Sequence, residues 1–494
     1  MPLWIAAFLR CLPLDAARPH WSRDAAFAVL DQARIAALTP AAAKAGIQTG
    51  MRRAGAAAIA PDVPLLARDL VAEQHLLHET ALALLQYTPD IAIAEPDTLL
   101  LQVGASLAYF GGPRQLHRRL TATLQAMGLH IGSGMAPTAQ GAWLLAHQSC
   151  ARSRRRVLRL DTMTTVLDAI PCALLPSAQA RLDWLHGIGC RTLGDLRHLP
   201  RAGLQRRCGA ELPHSIDAAY GIAPECHAWL QPPARFQQRL ELPDYIAHTE
   251  AILAWAQRLL EPLCGWLTAR RLAVQHFTLV LEHERGRHAR APTLLPIHLA
   301  QPAWQPAHLL SLLREKLGRL PLEAPAIALA LHVDDTVEQP AASTSLFPEP
   351  GGSPIEHARL LDLLSARLGR ERVLQAQPVA DHRPEIANHW SAAQDSPSRP
   401  PRDSNHHHPF ALMDRPFWLL DPPVPLQVQQ HRPVYAGQPL RLIRGPERIE
   451  SGWWDAALTV RDYFVAEDAA AARYWIYRER DTEHARWFLH GRYA

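Results

Sequence analysis

Residues 98–148 carry the pattern that most constrains the fold. TLLLQV (98–103) is a short apolar strand. SLAYFGGPRQLHRRLTATLQAMGL (106–129) turns and continues as an amphipathic helix, and LHIGSGMAPTAQGAWLLAHQ (129–148) gives strand, turn and helix again. Apolar strands alternating with such helices bury a sheet beneath a helical layer. Upstream, residues 3–9 and 25–31 read as strands, LTPAAAKAGIQTGM (38–51) as a loop and helix with glycine breaks, and 68–87 as a helix. The pattern is α+β to about residue 160.

At 494 residues the chain predicts several domains rather than one core. Residues 165–232 are mostly short helices around LDWLHGIGCRTLGDLRHLP. A second, smaller α+β unit follows, with a strand at 271–286, a helix at 307–320, a strand at 326–337 and a helix at 354–370. SAAQDSPSRPPRDSNHHHP (391–409) has the composition of a flexible linker. The last segment, 413–494, is dense in aromatics, and RDYFV, RYWIYRER and ARWFLHG predict three short antiparallel strands.

No apolar run is long enough to span a bilayer. MPLWIAAFLRCLPLD is apolar but has no basic region and no small-residue cleavage site, so it is expected as a buried first strand, not a signal peptide. The seven cysteines lack paired metal spacing, which argues against zinc or a disulfide framework and for the reducing cytoplasm. A net charge of +4 is too mild to identify a nucleic-acid partner. Lys44 and Lys316 are the only lysines, but a GC-rich genome accounts for the arginine and alanine bias without invoking function.

The words RGPERIESGWWD (444–455), RDYFVA (461–466) and DHRPE (381–385), with the element order of residues 1–375, carry a resemblance to a known family. The chain resembles the Y-family translesion DNA polymerases, and within them a mutasome branch that works beside a separate polymerase. The resemblance implies an α+β multidomain right hand plus a small, mainly β C-terminal module. It places palm and fingers at 1–160 (fingers about 26–77), a thumb at 161–232, a little finger at 233–378, a linker at 379–412 and a partner-binding module at 413–494.

Polymerisation joins a 3′-hydroxyl to an α-phosphate with two divalent metals about 4 Å apart. Magnesium needs carboxylate oxygens to hold it. Active members resemble one another in supplying three, one in a first-strand I-D-M-D-x-F pattern and two in S-I-D-E-A. Set on WIAAFL, the first pattern puts its essential Asp on Ile5 and its second on Ala7. Set without a gap on 88–103, the second gives Glu95 for Ser, Asp97 for Asp and Thr98 for the crucial Glu. One carboxylate of three survives, unless Glu95 reaches the site from the same strand face as Asp97. The nucleotide-handling Y-E-A-R-K-F-G-V pattern falls on Pro40 through Ile47, with Pro40 for Tyr and Ala43 for Arg. The G-I-A-P-N-K pattern falls on Gly134 through Ala139, with Ala139 for its phosphate-binding Lys. These losses together imply no catalytic residues, no resident metal and no cofactor; magnesium enters only if the chain is active through rearranged carboxylates. Asp97 then reads as a turn-capping or solvated carboxylate.

Binding features remain. LHGIGCRTLGDL (185–196) resembles a helix-hairpin-helix, in which Gly187 and Gly189 let backbone N–H groups approach a DNA phosphate beside Arg191. An ordinary glycine turn is the bland reading. ARSRRRVLRL (151–160) carries Arg154, Arg155 and Arg156 among its five arginines, as a phosphate contact or a solvated basic face. RFQQRLEL (235–242) and HERGRHAR (283–290) add further arginines. STSLF, residues Ser343, Thr344, Ser345, Leu346 and Phe347, resembles the Q-L-x-L-F segment with which bacterial polymerases dock on the β sliding clamp. Leu346 and Phe347 match its two apolar anchors, whereas Ser343 is too short to copy the Gln hydrogen bonds. Trp453, Trp454, Tyr463 and Phe464 are candidates to meet a partner, although most rings of this module are expected to fill its core. The resemblance implies as partners primer–template DNA, the clamp, an ImuA-type accessory protein and an error-prone DnaE-type polymerase. His406, His407 and His408 are read as incidental to the linker.

Three readings follow. The first is a non-catalytic DNA- and clamp-binding scaffold in SOS-induced translesion synthesis. The second is an active translesion polymerase using Asp97, Glu95 and Asp15. The third is a DNA-binding protein without clamp or polymerase partner.

Overall fold

Six residues of unbroken apolar character, Trp4–Leu9, form β1, one of two inner strands of the first sheet. A computed structural model describes residues 2–18, 21, 24–148, 155–284, 290–333, 335–339, 354–393, 415–416, 418–455, 457–480 and 486–493. It divides into two units, 1–367 and 368–494. The first mixes helices and sheets, and the second is mainly β.

In the first unit β1 is followed by α1 (Leu12–Ala17), β2 (Ala28–Asp31), β3 (Arg34–Leu38), α2 (Pro40–Lys44), α3 (Arg53–Ile59), β4 (Leu65–Ala67) and α4 (Leu70–Leu84). Thr39 starts α2 by accepting from Ala42 N, and Asp69 starts α4 by accepting from Val71 N and Ala72 N. Next come β5 (Ile91–Ala94), β6 (Thr98–Gln102), α5 (Pro113–Ala126), β7 (Ile131–Ala136) and α6 (Ala139–His147). In the region expected as the palm the sheet has the order β5-β6-β1-β7, and in that expected as the fingers it has the order β3-β2-β4.

Across β1 and β6 the pairs are Ile5–Leu101, Ala6–Leu100, Ala7–Leu99 and Phe8–Thr98. Side chains alternate between two faces. Ile5, Ala7, Leu99 and Leu101 join a core with residues of α4 and α5. Trp4, Ala6 and Leu100 join another with residues of α6 and the helices that follow it. Helices on both faces explain why β1 is continuously apolar rather than alternating.

The region expected as the thumb contains α7 (Leu160–Asp168), α8 (Pro176–Gln179), α9 (Leu182–Gly187), α10 (Leu193–His198), α11 (Arg201–Cys208) and α12 (Glu211–Ala219). The region expected as the little finger contains β8 (Gln238–Ile246), α13 (Thr249–Arg270), β9 (Leu272–Glu282), β10 (Thr293–Ala303), α14 (Pro306–Leu317), β11 (Ala326–His332), β12 (Thr336–Glu338) and α15 (Pro354–Leu368). Its sheet has the order β10-β9-β11-β8, with β12 also on β9. The helix α13 packs on α4 of the palm. At their crossing Gly265 lies so close to α4 that an added Cβ would meet the backbone of Leu82 and Ala83.

The second unit contains the hairpin β13 (Leu374–Pro378) and β14 (Asn388–Ala392). It also contains β15 (Trp418–Gln429), β16 (Arg432–Tyr435), β17 (Gln438–Pro439), β18 (Arg441–Ser451), β19 (Thr459–Glu467), β20 (Arg473–Glu479) and β21 (Trp487–Arg492). These seven form one sheet in the order β17-β16-β15-β21-β20-β19-β18. The three expected antiparallel strands are β19, β20 and β21. The expected linker is corrected over 379–393, which is folded into this unit, while 394–412 lies outside the described residues. Six described cysteines are free thiols. No described helix is long and apolar enough to cross a membrane.

Candidate functional site

The turn joining β5 to β6 brings Asp97 against the end of β1, where Leu9 N donates to Asp97 O at 2.9 Å. Thr98 is fully buried, and its Oγ1 donates to Asp97 Oδ1 at 2.9 Å. Facing Thr98 across the sheet is Phe8. The Phe8 ring stacks on His147 at 3.9 Å, and Trp143 stacks on the same imidazole at 3.8 Å. Two parallel rings that close must occupy opposite faces, so His147 is sandwiched. Its Nδ1 lies 2.9 Å from Trp143 O, an acceptor, and so carries the proton. Its Nε2 lies 3.4 Å from Thr98 Oγ1 and 3.7 Å from Asp97 Oδ1.

This geometry corrects the expected strand register. Ile5, taken as the first carboxylate position, is fully buried opposite Leu101, three residues or about 10 Å along β1 from Phe8. Phe8 is the β1 residue that looks at Asp97 and Thr98. Glu95 and Asp97 lie on the turn rather than on a common strand face, and Glu95 is exposed. Asp15, the next acid along the chain, is fully buried. Its Oδ1 accepts from Trp21 Nε1 at 2.8 Å and lies 2.9 Å from His130 Nδ1, while Oδ2 accepts from His130 N at 3.2 Å. Burial raises its pKa, opposed by the hydrogen bonds from His130 and Trp21.

A magnesium pair requires several convergent carboxylates. Here one half-buried carboxylate stands among a hydroxyl, an imidazole and two aromatic rings. Among the described residues no three His, Cys, Asp or Glu side chains converge into a metal-holding group. The residues at this place do not fit the metals.

Of the positions expected to handle the triphosphate, Lys44 keeps the pattern's residue, and Pro40, Ala43 and Ala139 carry no group that could contact a phosphate through a side chain. Pro40, Ala43 and Lys44 lie on the exposed side of α2. Ala139 is buried at the start of α6, where Ala139 N and Gln140 N donate to the Glu225 carboxylate at 2.8 and 2.6 Å. A helix N-terminus favours an anion, and in this protein the anion is its own side chain. No local sequence signal points to Glu225, because it arrives from beyond α12.

In the thumb, Gly187 ends α9 and Gly189 takes φ +80°, both with open space where a Cβ would stand. The expected free N–H donors are corrected. Gly189 N bonds His186 O, Cys190 N bonds Leu185 O, and Arg191 N and Thr192 N both bond Asp195 Oδ2. Those bonds hold the Asp195 carboxyl below its usual range. The hairpin therefore presents bare glycine surface, the exposed Ile188 and the exposed Arg191 side chain. Arg154 lies outside the described residues. Arg155 and Val157 bracket Met135 of β7 through backbone bonds. The half-buried Arg155 donates from Nη2 to Gln148 O at 2.7 Å, beyond the end of α6, whereas Arg156 is exposed. Ser343 through Phe347 and His406 through His408 lie outside the described residues.

In the second unit Tyr463 is fully buried, stacks on Trp475 at 4.1 Å and has its hydroxyl 2.9 Å from His490 Nδ1. Its proposed partner contact is corrected to a core role. Phe464, on the opposite face of β19, is half-buried and packs toward Trp487. Trp453 and Trp454 are 76% and 54% exposed and meet edge to face. Arg383, from the DHRPE word, bonds Asp381 and Asp455 and lies 5.6 Å over the Trp454 ring.

Residues 6–147 match the family model described as impB/mucB/samB family. Over 465 residues the chain is 26% identical to Protein ImuB of Caulobacter vibrioides (strain NA1000 / CB15N), covering 90% of this chain and 99% of that protein. The same figures hold for Protein ImuB of strain ATCC 19089 of that organism. Among solved structures the chain is similar to a Dbh ternary complex, with TM-score 0.38 and 16% identity over 68% of this chain and 100% of that one. It is also similar to DinB from Sulfolobus solfataricus, with TM-score 0.38 and 16% identity over 69% of this chain and 100% of that one.

Proposed function

We propose that this chain is a non-catalytic Y-family polymerase homologue that acts as a DNA- and clamp-binding scaffold in SOS-induced translesion synthesis. The observation that carries the reading is the stacking of Phe8 on His147 where β1 meets Asp97 and Thr98. A phenyl ring there supplies no oxygen donor, and Thr98 supplies a hydroxyl where the active pattern has a carboxylate. In this reading the thumb hairpin and Arg156 grip phosphate without reading sequence. Leu346 and Phe347 dock on the β sliding clamp. The second unit recruits an ImuA-type protein and an error-prone DnaE-type polymerase, with Trp453 and Trp454 as the exposed anchors. The 26% identity to Protein ImuB over nearly its whole length supports this assignment.

The test is a reconstitution with primer–template, clamp and a DnaE-type polymerase. The wild type is expected to stimulate lesion bypass by that polymerase. Leu346→Ala with Phe347→Ala should lose clamp capture, and Trp453→Ala with Trp454→Ala should lose polymerase capture, each while retaining DNA binding. Stimulation that survives both double variants would overturn the scaffold role.

A further inference from the structure

We infer that Arg34, Arg52 and Arg53 form a phosphate cradle on the fingers that takes the backbone of a nucleic-acid strand. The inference rests on the DNA-binding reading above and adds a contact outside the thumb and little finger. The three arginines line a depression of about 620 Å³ whose remaining wall includes Ala33, Ala54 and Ala57, with no acidic side chain. Their backbone is fixed. Arg53 N donates to Ala33 O at 2.9 Å, Ile35 N to Met51 O at 2.8 Å, and Gly50 N to Ile35 O at 2.7 Å. Arg34 Nη1 donates to Gly50 O at 2.9 Å, which aims that guanidinium along the hairpin tip.

Arg34 and Arg52 form an antiparallel bridge, so two like charges stand directly opposite each other. Such a pair is destabilising unless an anion lies between or above it. None of the three forms an ion pair among the described residues, and all three are exposed. A chain that pairs Arg68 with both Asp31 and Glu73 in the same fingers leaves this cluster uncompensated. The wall chemistry identifies the occupant. Protein hot spots combine arginine with large aromatic anchors, and this depression has arginine without any aromatic ring. Alanines allow a close approach, and a guanidinium presents a fork that matches phosphate.

Fluorescence anisotropy with a labelled single-stranded oligonucleotide and a labelled duplex, over a salt series, tests the inference. The triple variant Arg34→Ala, Arg52→Ala, Arg53→Ala is expected to bind at least one of them about tenfold more weakly. Its slope of log affinity against log salt should shrink by about 2 on the single strand or about 3 on the duplex. The triple Lys variant should keep most of the slope, since charge is retained. Wild-type affinity and slope in the Ala variant on both substrates would overturn the cradle while leaving the DNA-binding reading intact. Wild-type protein that binds neither substrate would instead remove that reading and the cradle with it. Unchanged unfolding midpoints show that the variants fold.

Discussion

A Cβ placed on Gly265 would stand 1.9 Å from the carbonyl oxygen of Leu82. The little-finger helix α13 thus approaches the palm helix α4 at a distance only a hydrogen substituent allows. Beside the crossing, Gln238 Nε2 of β8 donates to Glu79 Oε1 of α4, and Gln86 Nε2 donates to Glu261 Oε2 of α13. Gly265→Val should therefore destabilise the first unit by about 3 kcal/mol through forced separation of the two helices. Chemical denaturation checks this, and a variant as stable as the wild type would contradict the close crossing.

The second unit should lose stability on acidification because of His490. Burial of this imidazole lowers its pKa from 6.5 to about 4. It is 2% exposed, with Nδ1 beside the Tyr463 hydroxyl. A lowered folded-state pKa means that the unfolded chain binds the proton first as pH falls. Its contribution is present above about pH 6.5 and is lost progressively toward pH 4, on the order of 3 kcal/mol in all. His490→Gln should flatten this part of the stability–pH profile of the second unit. An unchanged slope between those two pH values would contradict the assignment.

Arg383 ties the DHRPE segment to the loop after β18 through Asp381 and Asp455. It holds both carboxyls below their usual range. Arg383→Met should leave the seven-stranded sheet formed while freeing residues 379–393. Limited thermolysin digestion should then cut that segment faster than in the wild type, and Asp455→Asn should have a smaller effect in the same direction. Equal cleavage rates in the three proteins would contradict the tie.

Elements with a clean period were legible without coordinates. The α5 helix shows its apolar stripe through Leu116, Leu120 and Leu124, all fully buried, and β19 to β21 show dense aromatics between turns. The longest helix, α13, left no such stripe. Its buried residues run round the helix, with Leu259, Leu260, Cys264 and Glu261 on successive sides, and it carries Pro262 in its interior. The palm strand concealed its register for a related reason. Every residue of WIAAFL is apolar, so nothing local distinguishes Ile5 from Phe8 as the one facing Asp97. Glu225 on α6 and Asp195 on the thumb hairpin answer to backbone N–H groups, which the side-chain pattern does not display. Tyr463 and Trp453 are both aromatic, and only their places separate a core ring from an exposed one: Tyr463 sits on β19 between two paired strands, and Trp453 on the turn after β18.

With Phe8, Thr98 and His147 around a single carboxylate, Asp97, the site is expected not to seat two divalent ions. Manganese titration followed by electron paramagnetic resonance, with primer–template and a non-hydrolysable nucleotide present, measures it directly. The wild type is expected to show no saturable site, and Asp97→Ala should be indistinguishable from it. Two bound ions per chain that disappear in Asp97→Ala would contradict the account.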